Sequence, residues 1–253
     1  MHKMLHSMES EDPFEDDDQP KITWHNSFRP IEGDERQELG EDVYSLIFVA
    51  PIYGRTFLFA LYVVFLKLML FSLLALDLYR KSQGNFSDKD NLTRITQFFL
   101  IPVAVAMQED LMSVYARLAN VKYDQDILEI SPYATPSKFA LSFLLRFADG
   151  LYSLILNFIL LLITDEVLNL FLNFAALGFL QSIDDVAFSV VANGYLGDKM
   201  ESRAELVRDI SLPRRRGDSF TNALDSILFF STCSVMFGIY VFVLVRDERD
   251  NSS

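Results

Sequence analysis

Apolar residues gather in five long runs along this chain, separated by short polar stretches. The runs cover 56–76 (TFLFALYVVFLKLMLFSLLAL), 95–116 (ITQFFLIPVAVAMQEDLMSVYA), 139–163 (FALSFLLRFADGLYSLILNFILLLI), 167–191 (VLNLFLNFAALGFLQSIDDVAFSVV) and 224–245 (LDSILFFSTCSVMFGIYVFVLV). An α-helix needs roughly 20 mostly apolar residues to cross a hydrocarbon core of about 30 Å. The pattern predicts an all-α fold, a helical integral membrane bundle with about five transmembrane helices. The second run is the weakest. Its uninterrupted apolar part covers only about half a bilayer, and Pro102 interrupts its hydrogen-bond ladder, so a re-entrant or short buried helix is the alternative to a full crossing. Residues 43–54 (VYSLIFVAPIYG) are too short to span and contain Pro51 and Gly54, which predicts an interfacial lead-in. Thr164-Asp165-Glu166, between the third and fourth runs, permits only an antiparallel hairpin. Its acids suit the positive end of the next helix.

The chain is 51% hydrophobic and 23% charged, so the two classes are segregated. Residues 1–42 hold thirteen acids against four Lys or Arg, a net of −9 out of the formal −13. Clusters such as EDPFEDDD, without apolar periodicity, cannot bury enough surface to offset ordering, and predict a disordered acidic cytoplasmic tail. The transmembrane domain is then 43–245, followed by a short C-terminal tail, 246–253. The acidic start has neither the basic and apolar regions of a secretory signal nor the low acidity of a transit peptide. Insertion is therefore expected to be directed by the first apolar run. Cys233 is the only cysteine, which excludes an intrachain disulfide and a cysteine-based metal site.

Asn85-Phe86-Ser87 and Asn91-Leu92-Thr93 make Asn85 and Asn91 candidate glycosylation sites, placing the first loop on the lumenal or outer side. Under that orientation eleven basic residues flank the spans on the inner side and six on the outer. Both signals give a cytoplasmic N-terminus, in a membrane of the eukaryotic secretory route or the plasma membrane. If the second run did not cross, the basic stretch within 192–223 would lie outside, against the charge rule.

Seven charges fall well inside the runs. At about 1.5 Å per residue from the inner ends, Glu109, Asp184 and Arg146 lie roughly 10 Å deep, and Asp149 and Lys67 roughly 15 Å. Asp110 and Asp185 lie one step nearer the inner end. A carboxylate facing lipid costs at least about 2.5 kcal/mol, so such groups turn inward and pair. Glu109, Asp110, Asp149, Asp184 and Asp185 are ion-pathway candidates, with Lys67 and Arg146 as internal counter-ions. Arg146 is expected to meet Asp149, three residues on, which leaves Lys67 for a carboxylate of another helix. Asp184 and Asp185 project about 100° apart, so one can pair while the other lines a cavity. The alternative shortens the second and fourth helices by two turns, which puts their acids among the headgroups and lets Arg146 snorkel. MQEDLM and QSIDDVAF are loosely alike, as a duplicated two-helix unit would leave them.

Catalysis finds little support: His2, His6 and His25 all lie in the tail, and no glycine-rich phosphate loop exists. No enzyme, metal site or cofactor is expected, and no nucleic-acid partner. In SLPRRRGDSF, Arg214, Arg215 and Arg216 suit anionic lipid, and Ser219, three residues beyond Arg216, is a candidate phosphorylation site. An ordinary positive-inside anchor is the plainer reading. Five helices are few for a solitary transporter, which points to a homo-oligomer or a larger membrane complex within the lipid bilayer.

The stretch FLLRFADGLYSLILNFILLLITDEVLNLFLNFAALGFLQSIDDVAFSVVANGYLG, within 139–197, resembles an uncharacterised family of multi-pass membrane proteins of stramenopile algae. The resemblance implies a eukaryotic setting and assigns no functional residue. The expectation is a cation or proton channel or transporter, or an accessory subunit of one. The alternative is a non-transporting scaffold that recruits partners through its acidic tail and basic loop.

Overall fold

The computed structural model describes residues 36–81, 90–121, 123–213 and 219–251. Among them, apart from one small pair of strands, regular structure is helical. Three single helices are long and apolar enough to cross a membrane: α2 (Arg55–Lys81), α6 (Pro136–Ile163) and α10 (Ser219–Asn251). A fourth crossing length is formed by α7 (Val167–Gln181) and α8 (Ile183–Ala192) together. The pair α3 (Asn91–Ala106) and α4 (Glu109–Asn120) makes a fifth if taken as one span, but it bends by 54°. The shorter elements are β1 (Arg36–Glu38), α1 (Val43–Val49), α5 (Ile127–Ile130), α9 (Asp198–Asp209) and β2 (Ser211–Pro213).

Helix ends follow local chemistry. Pro136 opens α6 just after an extended Thr135, where a missing N–H does no harm. Thr164 closes α6, donating its hydroxyl to Leu160 O at 2.6 Å. Glu166 then stands, with extended backbone, at the position before α7 across the expected tight hairpin, and its side chain accepts from Asn169 Nδ2 at 3.0 Å. Gly194, with φ of 75°, turns the chain out of α8 in the left-handed conformation that suits glycine.

The second run breaks, but not at its proline. Pro102 lies inside α3, and the helix ends at Ala106. There Gln108 folds its Nε2 back to Ala104 O at 3.1 Å, and its backbone N–H bonds Val105 O at 3.1 Å. The ladder tightens and stops, and Glu109 and Asp110 become the first turn of α4, at its positive end. The fourth run is interrupted at Ser182, and Asp184 and Asp185 likewise occupy the first turn of α8. Each acidic pair thus opens a half-helix.

Two expectations for the N-terminal part are corrected. The stretch 43–54 is not an interfacial lead-in: every residue of α1 is at most 1% exposed, and only Ile52 and Tyr53 of the stretch are exposed. A seven-residue helix that is almost apolar all round has no solvent face, so it is enclosed by α2, α6, α8 and α9. Its terminal groups are satisfied from outside, as a buried helix requires. Asp42 Oδ1 accepts the Ser45 N–H at 2.9 Å, Ser131 donates to Val49 O at 3.3 Å, and Lys138 donates to Ala50 O. Residues 36–42, assigned to the disordered tail, are also ordered. β1 pairs antiparallel with β2 (Arg36 with Pro213, Glu38 with Ser211), and Leu39 joins the core beside Ile210 and Leu212.

Large apolar side chains on α2 and α10, among them Phe65, Leu73, Phe230 and Phe242, remain exposed. α10 packs on α3 and α4 and buries Cys233 and Tyr240. Lipid tails would be the natural neighbours of the rest.

Candidate functional site

Lys67 sits near the middle of α2 with its side chain only 1% exposed. An isolated ammonium there would carry a desolvation penalty of several kcal/mol. Three helices answer it. Asp110 of α4 lies 3.0 Å from Lys67 Nζ, Asp149 of α6 2.7 Å, and Asp184 of α8 2.7 Å. The ammonium donates hydrogen bonds to Asp110 and Asp184, while the Asp149 contact is an ion pair in which neither carboxylate oxygen accepts a well-formed hydrogen bond. Four helices therefore bring their charges to one point.

One step away is a second cation. Arg146, also buried, donates to Ser113 Oγ at 2.9 Å and pairs with Asp42, the residue that caps α1. The pairing predicted for it is corrected: its partner is Asp42, and Asp149 goes to Lys67. Side chains on a helix tilt toward its N-terminus, so the long Arg146 side chain extends away from Asp149 and toward the strap 36–42. It does not snorkel to solvent, being 2% exposed. Lys67 Nζ lies 6.0 Å and Arg146 Cζ 5.2 Å from the centre of the Tyr44 ring, so this buried aromatic of α1 contacts both cations through its π-face.

Arg146 borders a cavity of about 300 Å³, and two of the Lys67 partners, Asp110 and Asp184, line its wall. Its acidic lining comprises Glu41, Asp42, Glu109, Asp110, Asp184 and Asp185, against the single lining cation Arg146. Asp184 is buried against Lys67 whereas its neighbour Asp185 is exposed on the cavity wall. Glu109 and Asp110 divide in the same sense: Glu109 is exposed, and Asp110 turns to Lys67. The far wall is neutral and polar. Gln181 Nε2 donates to Gln108 Oε1 at 2.6 Å and to Ser153 Oγ, which ties the two interrupted helices to each other and to α6.

Close packing shapes this cavity. A Cβ on Gly150 would stand 2.6 Å from Leu111 N, so the absent side chain lets α6 and α4 touch backbone to backbone beside the acids. At the cavity mouth, a Cβ on Gly40 would lie 2.4 Å from Asp42 Oδ2 and 2.9 Å from Arg117 Nη2. The strap is held further by an exposed pair, Arg208 with Glu41 at 2.8 Å. That hydrogen bond holds the Arg208 guanidinium above its ordinary pKa.

The predicted ion-pathway candidates and counter-ions thus fall into one constellation around Lys67, Arg146 and the cavity. Sequence reasoning missed Asp42, Tyr44, Gln108, Ser153 and Gln181. Asp42 had a local signal: Asp, then Ser three residues on, at the start of an apolar run is a helix cap. Asn91 is exposed at the first position of α3. Asn85 and the basic cluster Arg214, Arg215 and Arg216 lie outside the described residues, as does the side chain of Ser219. Among the described residues, no group of three or more His, Cys, Asp or Glu is arranged to hold a metal ion. No protein-family model matches the chain, and neither a curated protein nor a solved structure is similar to it.

Proposed function

We propose that this chain is an integral membrane protein that passes cations or protons, as a channel or transporter or as a subunit of one. The acidic cavity is its vestibule, which opens to the cytoplasm in the orientation given by the sequons and basic residues. One observation carries the reading: a cavity of about 300 Å³ with six acidic side chains on its wall leads to a buried lysine held by carboxylates from three other helices. Each carboxylate placed at that depth opposes insertion by at least about 2.5 kcal/mol. A passive anchor would be more stable with apolar residues in those positions. The excess of negative charge attracts cations to the mouth and raises their local concentration.

The test is a flux measurement on purified protein in liposomes, comparing wild type with Asp184→Asn/Asp185→Asn. Cation or proton flux is expected in the wild type and is expected to drop in the variant. Wild-type vesicles no leakier than protein-free ones, or a double variant that conducts as well as wild type, would hand the case to the scaffold reading.

A further inference from the structure

The acids fix where a cation would go; the lysine bears on which cation. Within the reading of a cation or proton path, and resting on it, we infer that the species handled at the Lys67 cluster is the proton. Asp110, Asp149 and Asp184 converge from three helices on one point, and Lys67 Nζ occupies that point at 3.0, 2.7 and 2.7 Å, leaving no place for a metal ion among them. The protein's own tethered ammonium takes the place of a coordinated metal.

Three ionised carboxylates around one ammonium leave a net charge of −2. Taking up one proton brings the cluster to −1, and a second brings it to neutrality, with no other atom required. A carboxylate that binds a proton on the cavity side can pass it on and return to its ionised form beside Lys67. The groups facing the cluster set how readily this happens. They are Tyr44 of α1, Arg117 of α4, Arg146 of α6, Asp185 of α8, Asp42 of the strap and Glu109 at the start of α4.

Two further observations point the same way. Asp149 is 1% exposed, yet neither of its oxygens receives a hydrogen bond, so it retains acceptor capacity for a proton. It also belongs to a buried polar stripe along one face of α6: Ser142, Arg146, Asp149, Ser153 and Asn157, at helical spacing. Asn157, two turns beyond Asp149, is 1% exposed and its Oδ1 accepts nothing. The stripe extends polar groups from the cluster toward the opposite end of the bundle, with no carboxylate beyond Asp149 on that helix to hold a metal ion.

Two measurements test the inference. Liposomes holding the full-length protein and the pH dye pyranine are driven by an imposed proton gradient, first with Na⁺, K⁺ or Ca²⁺ outside and then with all three replaced by N-methyl-D-glucamine. Proton entry is expected to be unchanged by the replacement and to fall at least about tenfold in Asp149→Asn. In parallel, Mn²⁺ binding to the detergent-solubilised protein is followed by electron paramagnetic resonance. Wild type is expected to bind none at the cluster, and Lys67→Gln, which vacates the centre, is expected to gain a site. Flux of Na⁺, K⁺ or Ca²⁺ without acidification would overturn the proton assignment while leaving a cation path intact. No flux of any ion would remove the cation-path reading itself. Mn²⁺ bound at the acids of the wild type would overturn the argument from the ammonium even if the Lys67 variant failed to fold.

Discussion

Replacing Gly150 by alanine tests the geometry at its tightest point. The new Cβ would stand 2.6 Å from Leu111 N and 2.9 Å from Leu111 Cβ, whereas ordinary contact begins at 3.4 Å, so α4 has to retreat from α6 by a substantial fraction of an ångström. Asp110, one residue before Leu111, moves with it. Its 3.0 Å bond to Lys67 Nζ is then stretched toward or beyond hydrogen-bond range. In an unconstrained helix the exchange would stabilise by about 1 kcal/mol. Overpacking opposes this by about 1–3 kcal/mol, and weakening a charge-assisted hydrogen bond adds about 1.5–3 kcal/mol. The balance is a loss of about 3 kcal/mol, equivalent to a fall in Tm of roughly 6–12 °C for a chain of this size. The molecule supplies its own reporter: Cys233 is the only thiol, is 6% exposed, and belongs to the same apolar cluster as Leu111. A thiol-reactive fluorophore added during heating reads the opening of that cluster. A midpoint equal to or above wild type would mean that helix propensity outweighs the clash and that α4 and α6 are not in backbone contact at Gly150.

The strap yields a graded prediction from the same thermal assay. Asp42→Ala removes both the α1 cap and the partner of buried Arg146 and is expected to cost about 4 kcal/mol. Asp42→Asn keeps the cap and should lose about 1 kcal/mol less, whereas Arg208→Ala, at an exposed pair, should stay within about 1 kcal/mol of wild type. Equal losses for the two Asp42 variants would deny the cap its role. For topology, Asn85→Gln and Asn91→Gln are each expected to remove one endoglycosidase-sensitive step from the protein expressed in eukaryotic cells. A protein insensitive to the enzyme before any substitution would reverse the orientation and with it the side on which the vestibule opens.

The long apolar helices and the cluster were legible in the sequence for the same reason: apolar surroundings leave charges little freedom. Runs of twenty apolar residues have few other uses, and Lys67, Asp110, Asp149 and Asp184 cannot stand apart inside them, so their meeting followed from depth alone. Their partners did not. Whether Asp149 faced Arg146 or Lys67 depended on how α2 and α6 approach, and on a further participant, Asp42, hidden in the composition of the acidic tail. The burial of α1 was equally hidden, because a short apolar helix reads alike whether it lies on a bilayer surface or inside a bundle. Pro102 drew attention as the obvious interruption, yet the ladder fails at Gln108, where a side-chain amide competes for the backbone carbonyl. That competition depends on the contacts with Gln181 and α6, which no local pattern reports.

The pairing of β1 with β2 bears on how the molecule is made. Arg36 leaves the ribosome long before Pro213 exists to receive it, and α8 and α9, which close over α1, are likewise synthesised after it. Joining such distant ends adds little to the equilibrium cost, since loop-closure entropy grows only logarithmically, but contacts so far apart in sequence form late. During translation the apolar α1 therefore has to wait for the helices that enclose it. Only when the ninth helix has emerged can the strap fold down and bring Asp42 to Arg146.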